Sequence, residues 1–399
     1  MANKIITIFG NYRQISKAFE EGFEIYNIEL KSRIKSPINL DIIQSTKNTV
    51  ILENVKEIQL YVNYLIETRD IDAIISFTDS NSGVLLAHKL GHQYNINSEK
   101  LTSIEGVQIL NNKVLFRDYL KQNGFESINY AKVNNRNELV SFYNKIKKPL
   151  IVKPICGQGS ERIKKINALN DIDNTLEEIY PLLVEEFIDG NEYSVEAISV
   201  NGKCKIIGIT EKFLINENPN NPFVERGHRF PAKITNEDRA IIENYVSSFI
   251  ESIPIISGPT HSEVKLTSNG PILIESHLRV GGGAIPRLVE MVTGINIYKE
   301  TIKLYCGNEY KLKSINYEQE ACNLHLTPKQ GTVKYVEIPS ILNSDSSIKK
   351  IDINVEAGMK IEEITNSFDR IYGEIIIQDK KDAFIKAKDV VKTIKIEVE

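Results

Sequence analysis

GPTHSEVKLTSNGPILIESHLRVGGG, Gly258 to Gly283, decides how the rest of the chain is read. It is patterned as a β-hairpin: an alternating run through Leu266, a Thr-Ser-Asn-Gly-Pro turn, and a second run from Ile272. Symmetric pairing about that turn sets Leu266 opposite Ile272 and Glu263 opposite Glu275. Side chains alternate faces along a strand, so Glu275, His277 and Arg279 share one face, while Ile274, Ser276 and Leu278 share the other. Like charges opposed across strands are destabilising. Two such carboxylates either share a proton or bind a cation, and hard oxygen ligands followed by an arginine fit Mg²⁺ beside a phosphate. A hairpin whose two Glu simply face solvent is the bland alternative, and the surrounding sequence weighs against it.

Upstream, PLIVKPICGQGSERIKKI (Pro149 to Ile166) is a strand ending in Lys153, a loop with Gly157, Gly159 and Ser160, and a second strand. Glycine-freed amides cradle phosphate oxygens, and Lys153 supplies the opposite charge. No GKS or GKT follows, so this is not a Walker A loop. NNKVLFRDYLKQNG is a helix with one buried face, stopped at Gly124, with Lys113 at its start, where a cation opposes the helix dipole. LLVEEFIDGNEYSVEAISVNGKCKIIGITEKF (Leu182 to Phe213) gives three strands joined by turns at Asp189-Gly190-Asn191 and Asn201-Gly202. Asn216 to Arg226 is expected to be a mobile, lid-like loop before GHRFPAK, where His228 and Arg229 stand out.

The N-terminus is a βαβ opening: strands at Ile5–Phe9 and Glu24–Leu30 flank a helix-like stretch. A later strand, Ala73–Phe77, ends in Thr78-Asp79-Ser80, polar residues where open α/β sheets hold ligands. There is no GxGxxG, so no dinucleotide site is read there.

At 399 residues, two or three domains are expected. The chain is 41% hydrophobic and 26% charged, and 49 Lys+Arg against 53 Asp+Glu leave a net charge of −4, so no charge bias points to nucleic acid or membrane. Cys156, Cys204, Cys306 and Cys322 show no metal or redox spacing, which fits reduced thiols in a cytoplasm. The first residues lack the pattern of a signal peptide, and no apolar run reaches the ~18 residues of a membrane span.

In this order, Lys113, the KPICGQGS loop at 153–160, VEEFIDGNE at 184–192, Glu211-Lys212, Glu263 and ESHLR at 275–279 resemble the ATP-grasp superfamily over about 170 residues. That resemblance implies an N-terminal Rossmann-like domain at 1–105, a central ATP-grasp domain at 106–308 and a small C-terminal α+β subdomain at 309–399, α/β and α+β in class. It also implies that ATP and Mg²⁺ are used. Lys113 and Lys153 would contact phosphates, and the loop at Gly157, Gly159 and Ser160 would close over them. Glu185, Glu186, Phe187 and Ile188 would meet adenine, Glu192 the ribose, Lys212 a phosphate, and Glu263 and Glu275 would hold Mg²⁺. The family commonly has Asn where His277 stands, and imidazole is a poorer Mg²⁺ ligand than an amide oxygen, so His277 is expected to face either metal or substrate.

ESHLRVGGGAIPRLVEMVTG and GHRFPA look most like the L-amino acid ligase branch. The implied chemistry is acyl-phosphate formation and amide synthesis between a small-molecule carboxylate and an amine, with Arg279 on the substrate carboxylate and His277 or His228 as base or orienter. Bicarbonate activation and a non-catalytic ATP sensor are the alternatives. A homodimer through the N-terminal domain is expected from the same resemblance.

Overall fold

The computed structural model describes residues 3–10, 12–34, 48–78, 81–125, 128–157, 159–215, 221–307 and 315–399. Asn11, Asp79, Ser80 and Gln158, and residues 216–220 of the expected mobile loop, lie outside them.

The N-terminal βαβ pattern forms a parallel sheet ordered 49–52, 24–30, 4–8, 73–75. Its strands are near-continuous apolar runs because helices cover both faces. The helix Val55–Thr68 starts at Asn54, whose side chain accepts from Glu57 N, and buries Ile58, Val62 and Leu65 on the sheet.

A second sheet is antiparallel and ordered 130–133, 182–186, 150–154, 164–166. It carries the glycine loop at one edge. The largest sheet has eight antiparallel strands, ordered 270–277, 258–267, 191–200, 203–214, 225–230, 320–325, 373–379, 348–353. Strands after residue 309 therefore extend the same sheet as the hairpin, burying Cys322, Leu324, Ile375 and Ile377 on one face and Ala321 and Ile376 on the other. The three-stranded sheet 360–361, 331–337, 395–398 and the helix Ala383–Thr393 close the end of the chain. Among the described residues, no helix is long and apolar enough to cross a membrane.

Two local expectations are corrected. Residues Glu225–Phe230 are a strand between 203–214 and 320–325, so the expected loop gives way to a strand at its C-terminal end. In the hairpin, Thr267 pairs with Gly270, Leu266 with Pro271 and Lys265 with Ile272, so the turn is two residues rather than five. A β-bulge at Ile274 absorbs the offset, and Glu263 still faces Glu275.

Candidate active site

The hairpin, the glycine loop, the strand after it and the C-terminal segment around residue 370 converge on one cavity. Glu263 and Glu275 face each other on its wall. Each is held by cations from another element. Lys113 Nζ lies 3.1 Å from Glu275 Oε2 and donates to Gly157 O at 3.3 Å, which explains a cation at a helix start: Asn112 caps the helix, and Lys113 reaches out of it. Lys212 Nζ sits 2.7 Å from Glu192, 2.8 Å from Glu225 and 2.7 Å from Glu263. Burial would raise the Glu263 pKa and Glu275 adds to that, but Lys212 and His261 together outweigh them and hold it near 2. Against the same burial, Lys113 and then His277 hold Glu275 well below the usual carboxylate range. Burial works against the Lys212 ammonium, and its carboxylates nevertheless raise its pKa well above the ordinary value.

Lys153, at the end of its strand, pairs with Glu185 Oε2 at 2.6 Å, while Arg117 Nε donates to Glu185 Oε1 at 2.5 Å. Both Glu185 oxygens are thus ion-paired within the site, and Glu185 still lines the cavity. Against burial, the two cations hold Glu185 near 2. Arg117 is fully buried and also donates to Leu273 O and Ile274 O, the carbonyls at the bulge. Glu186 pairs with Lys148 and accepts from Asn129. The Phe187 ring lies 3.6 Å from Lys165 Nζ, and Lys265 Nζ donates to Ile188 O.

Gly159 adopts φ +68°, a conformation that favours glycine, and a Cβ there would meet the Phe368 ring at 2.9 Å. Ser160 Oγ donates to Phe223 O, and Ser367 N donates to Gly159 O. The C-terminal segment therefore fastens the loop.

On the other side of the carboxylates, His277 Nε2 is 3.1 Å from Glu275 Oε1 and its Nδ1 has no partner among the described residues. Burial, then Arg279, pushes His277 down to about 4. Arg279 lines the cavity, donates from Nη1 to Val280 O at 3.0 Å and keeps a buried, unpartnered Nε. His228 does not reach the cavity surface. It is fully buried behind Gly283, with Nδ1 3.2 Å from Asn323 Oδ1 and Nε2 3.3 Å from Glu225. Arg229, its neighbour, turns to the opposite face and pairs with Glu211.

Sequence reasoning missed four participants. Arg117 lies one helical turn from Lys113, and that i, i+4 spacing would have found it. His261 shares a strand face with Glu263 two residues on. It hydrogen-bonds Glu196 at 2.7 Å, which, with Glu263, raises it to about 9 against burial. Glu225 lies three residues before His228. Arg370 is some ninety residues beyond the hairpin, and nothing in the sequence marks it.

Residues 146–287 match the family model of the ATP-grasp domain. The chain carries an ATP-grasp domain. It is 26% identical over 195 residues to dapdiamide A synthase of Enterobacter agglomerans, covering 46% of this chain and 45% of that one. To the L-arginine-specific L-amino acid ligase of Bacillus subtilis it is 22% identical over 245 residues, covering 58% and 55%. These matches span about half the length of the curated relatives. A likeness of fold extends over the whole chain: an L-amino acid ligase from Bacillus licheniformis superposes with a TM-score of 0.81 at 18% identity, covering 100% of this chain and 99% of that one.

Among the described residues, no group of three or more His, Cys, Asp or Glu side chains is arranged to hold a metal ion. Two opposed carboxylates nonetheless fit Mg²⁺, which keeps most of its oxygen ligands as water and substrate phosphate rather than taking an all-protein cage. Glu263 and Glu275 are the residues that would hold it.

Proposed function

We propose that this chain is an ADP-forming carboxylate–amine ligase that joins amino acids or amino-acid-like substrates through an acyl phosphate. The observation that carries the reading is the opposition of Glu263 and Glu275 in a cavity that also holds Lys113, Lys153, the glycine loop and Arg279.

Phosphoryl transfer needs positioning and charge neutralisation more than a protein nucleophile. Lys113 and Lys153 would meet the phosphates, and the loop carrying Gly157, Gly159 and Ser160 would close over them. Bound Mg²⁺ would neutralise charge on the transferring phosphoryl group. Arg279 would hold the donor carboxylate, one oxygen of which attacks the γ-phosphorus as ADP leaves. The amine nitrogen of the second substrate then attacks the acyl carbon, the C–O bond to phosphate breaks, and nitrogen loses a proton. Of the two histidines in question, His277 lines the cavity with Nε2 on Glu275, and burial and Arg279 keep its ring neutral at physiological pH, so it is suited to orienting Glu275 and the amine rather than to taking the proton. His228, behind Gly283, is suited to positioning Glu225.

Phosphate release from Mg·ATP with single and paired L-amino acids tests this, with amino-acid-free and bicarbonate-only controls. Release that requires a pair supports the ligase; release with bicarbonate alone moves the chain to carboxyphosphate chemistry, and nucleotide binding that is indifferent to Mg²⁺, without release, to a sensor.

A further inference from the structure

Three lysines lining the cavity are matched by nearby carboxylates: Lys113 by Glu275, Lys153 by Glu185, and Lys212 by three glutamates. Lys265 donates to the Ile188 carbonyl instead, and two guanidiniums are likewise left without a carboxylate of their own. Arg279 has no carboxylate partner among the described residues, and it donates to the Val280 carbonyl. Arg370 reaches Glu225 Oε2 only at 3.5 Å, and that carboxylate is already shared by Lys212 at 2.8 Å and His228 at 3.3 Å.

Arg370 is also held in place. Its Nε donates to Ser367 O at 2.8 Å and its Nη1 to Glu225 O at 3.0 Å. The turn that bears it is fixed: Asp369 Oδ2 accepts from Thr365 N and Asn366 N, and the Asn366 side chain accepts from Phe368 N. The side chain is 11% exposed, and Nη2 has no hydrogen-bond partner among the described residues. A guanidinium mostly removed from water, oriented by backbone carbonyls and left with spare donors, is built for a planar anion. Its charge also reaches the neighbouring His325, which burial and then Arg370 push down to about 4.

Resting on the ligase reading above, we propose that Arg370 binds the free carboxylate of the amine substrate, so that acceptors are amino acids or other carboxylate-bearing amines rather than simple amines. The donor carboxylate is consumed in the amide bond and belongs to Arg279. The other carboxylate that such a ligase must hold comes from the acceptor. A nucleotide phosphate is the other anion within the site, but Lys113, Lys153 and the glycine loop already serve it. An acceptor without a carboxylate would leave the Arg370 donors unmet in a closed site, and sites that lose such a partner discriminate strongly.

The test takes the amino acid pair found by phosphate release and compares kcat/KM for the acceptor with kcat/KM for its C-terminal amide. Wild-type protein is expected to prefer the free acid by about 100-fold or more, and Arg370→Gln to bring the two within about 3-fold of each other with KM for Mg·ATP unchanged. A merely structural role for Arg370 would lower both values and keep their ratio. Wild-type protein that uses acid and amide equally overturns the proposal, whether or not the variant folds. So does an Arg370→Gln variant whose KM for Mg·ATP rises while the ratio stays, because Arg370 would then serve the nucleotide. If no amine of any kind supports release, the ligase reading falls and takes this inference with it; equal use of acid and amide removes the inference alone.

Discussion

The two sides of the cavity differ in how their charges are met. Around Lys113, Lys153, Glu185 and Lys212, nearly every charge has an opposite charge within 3.1 Å, supplied by a different element. Around Arg279, His277 and Arg370, polar groups retain spare donors or an unpartnered atom. The first side is a framework that stands without ligand. The second is unsatisfied until something anionic arrives, and buried polar groups left unmet are costly. The satisfied side fits the nucleotide, and the unsatisfied side fits the variable substrates.

The contrast breaks most sharply at the opposed carboxylates. Glu275→Gln and Glu263→Gln should each lower turnover by about a thousandfold or more, in line with losing a group that neutralises transition-state charge. Manganese binding followed by electron paramagnetic resonance should weaken in the same variants. Normal turnover in either would remove that residue from the proposed metal site. Arg279→Lys comes next: with a point charge in place of a planar fork, amide formation should fall by about a hundredfold while nucleotide affinity, read by calorimetry, stays within about 3-fold. An unchanged rate would take Arg279 out of the mechanism.

On the satisfied side the expected losses are of stability. Arg117→Met strips one partner from Glu185 and leaves the Leu273 and Ile274 carbonyls unpaired, so unfolding by denaturant should show a loss of about 3–5 kcal/mol. Acid sharpens the point. Glu185 has its pKa lowered from 4.5 to about 2, so its stabilising contribution is fully present above 4.5 and is lost as pH falls from there toward 2. That shift corresponds to about 3 kcal/mol, and Glu185→Gln should flatten the stability profile over that window; parallel profiles would count against the buried bridge. The smallest change is Gly281→Ala. Its Cβ would lie 2.9 Å from Glu196 Oε2 and 3.0 Å from His261 Nδ1, so the turn over the substrate side must shift. KM for the amino acid should rise several-fold, with a stability cost of about 1–3 kcal/mol. An unaltered KM would show that this turn does not border the substrate.

The same division governs what could be read from the sequence. Glu263 and Glu275 were legible because strand alternation and a short turn fix what faces what, and the face survived an error in the turn because the bulge at Ile274 restored the register. Lys113 and Lys153 were legible through their places at a helix start and a strand end. The partners were not: nothing in the spacing shows that Arg117 and Lys153 pair with the two oxygens of Glu185. His228 stands out as a polar residue just past an expected loop, and its burial is not marked in the sequence because the neighbouring strand supplies Asn323. Arg370 was invisible because strand order, not spacing, carries the C-terminal strands of the large sheet back beside the cavity.

If the donor carboxylate passes through an acyl phosphate, one of its oxygens must leave with the phosphate, and isotopic labelling reads that transfer. With the donor amino acid labelled by ¹⁸O in its carboxylate, one labelled oxygen per turnover should appear in the released phosphate, measured by mass spectrometry, and the other should remain in the amide. Turnover that yields amide and unlabelled phosphate would contradict the mechanism.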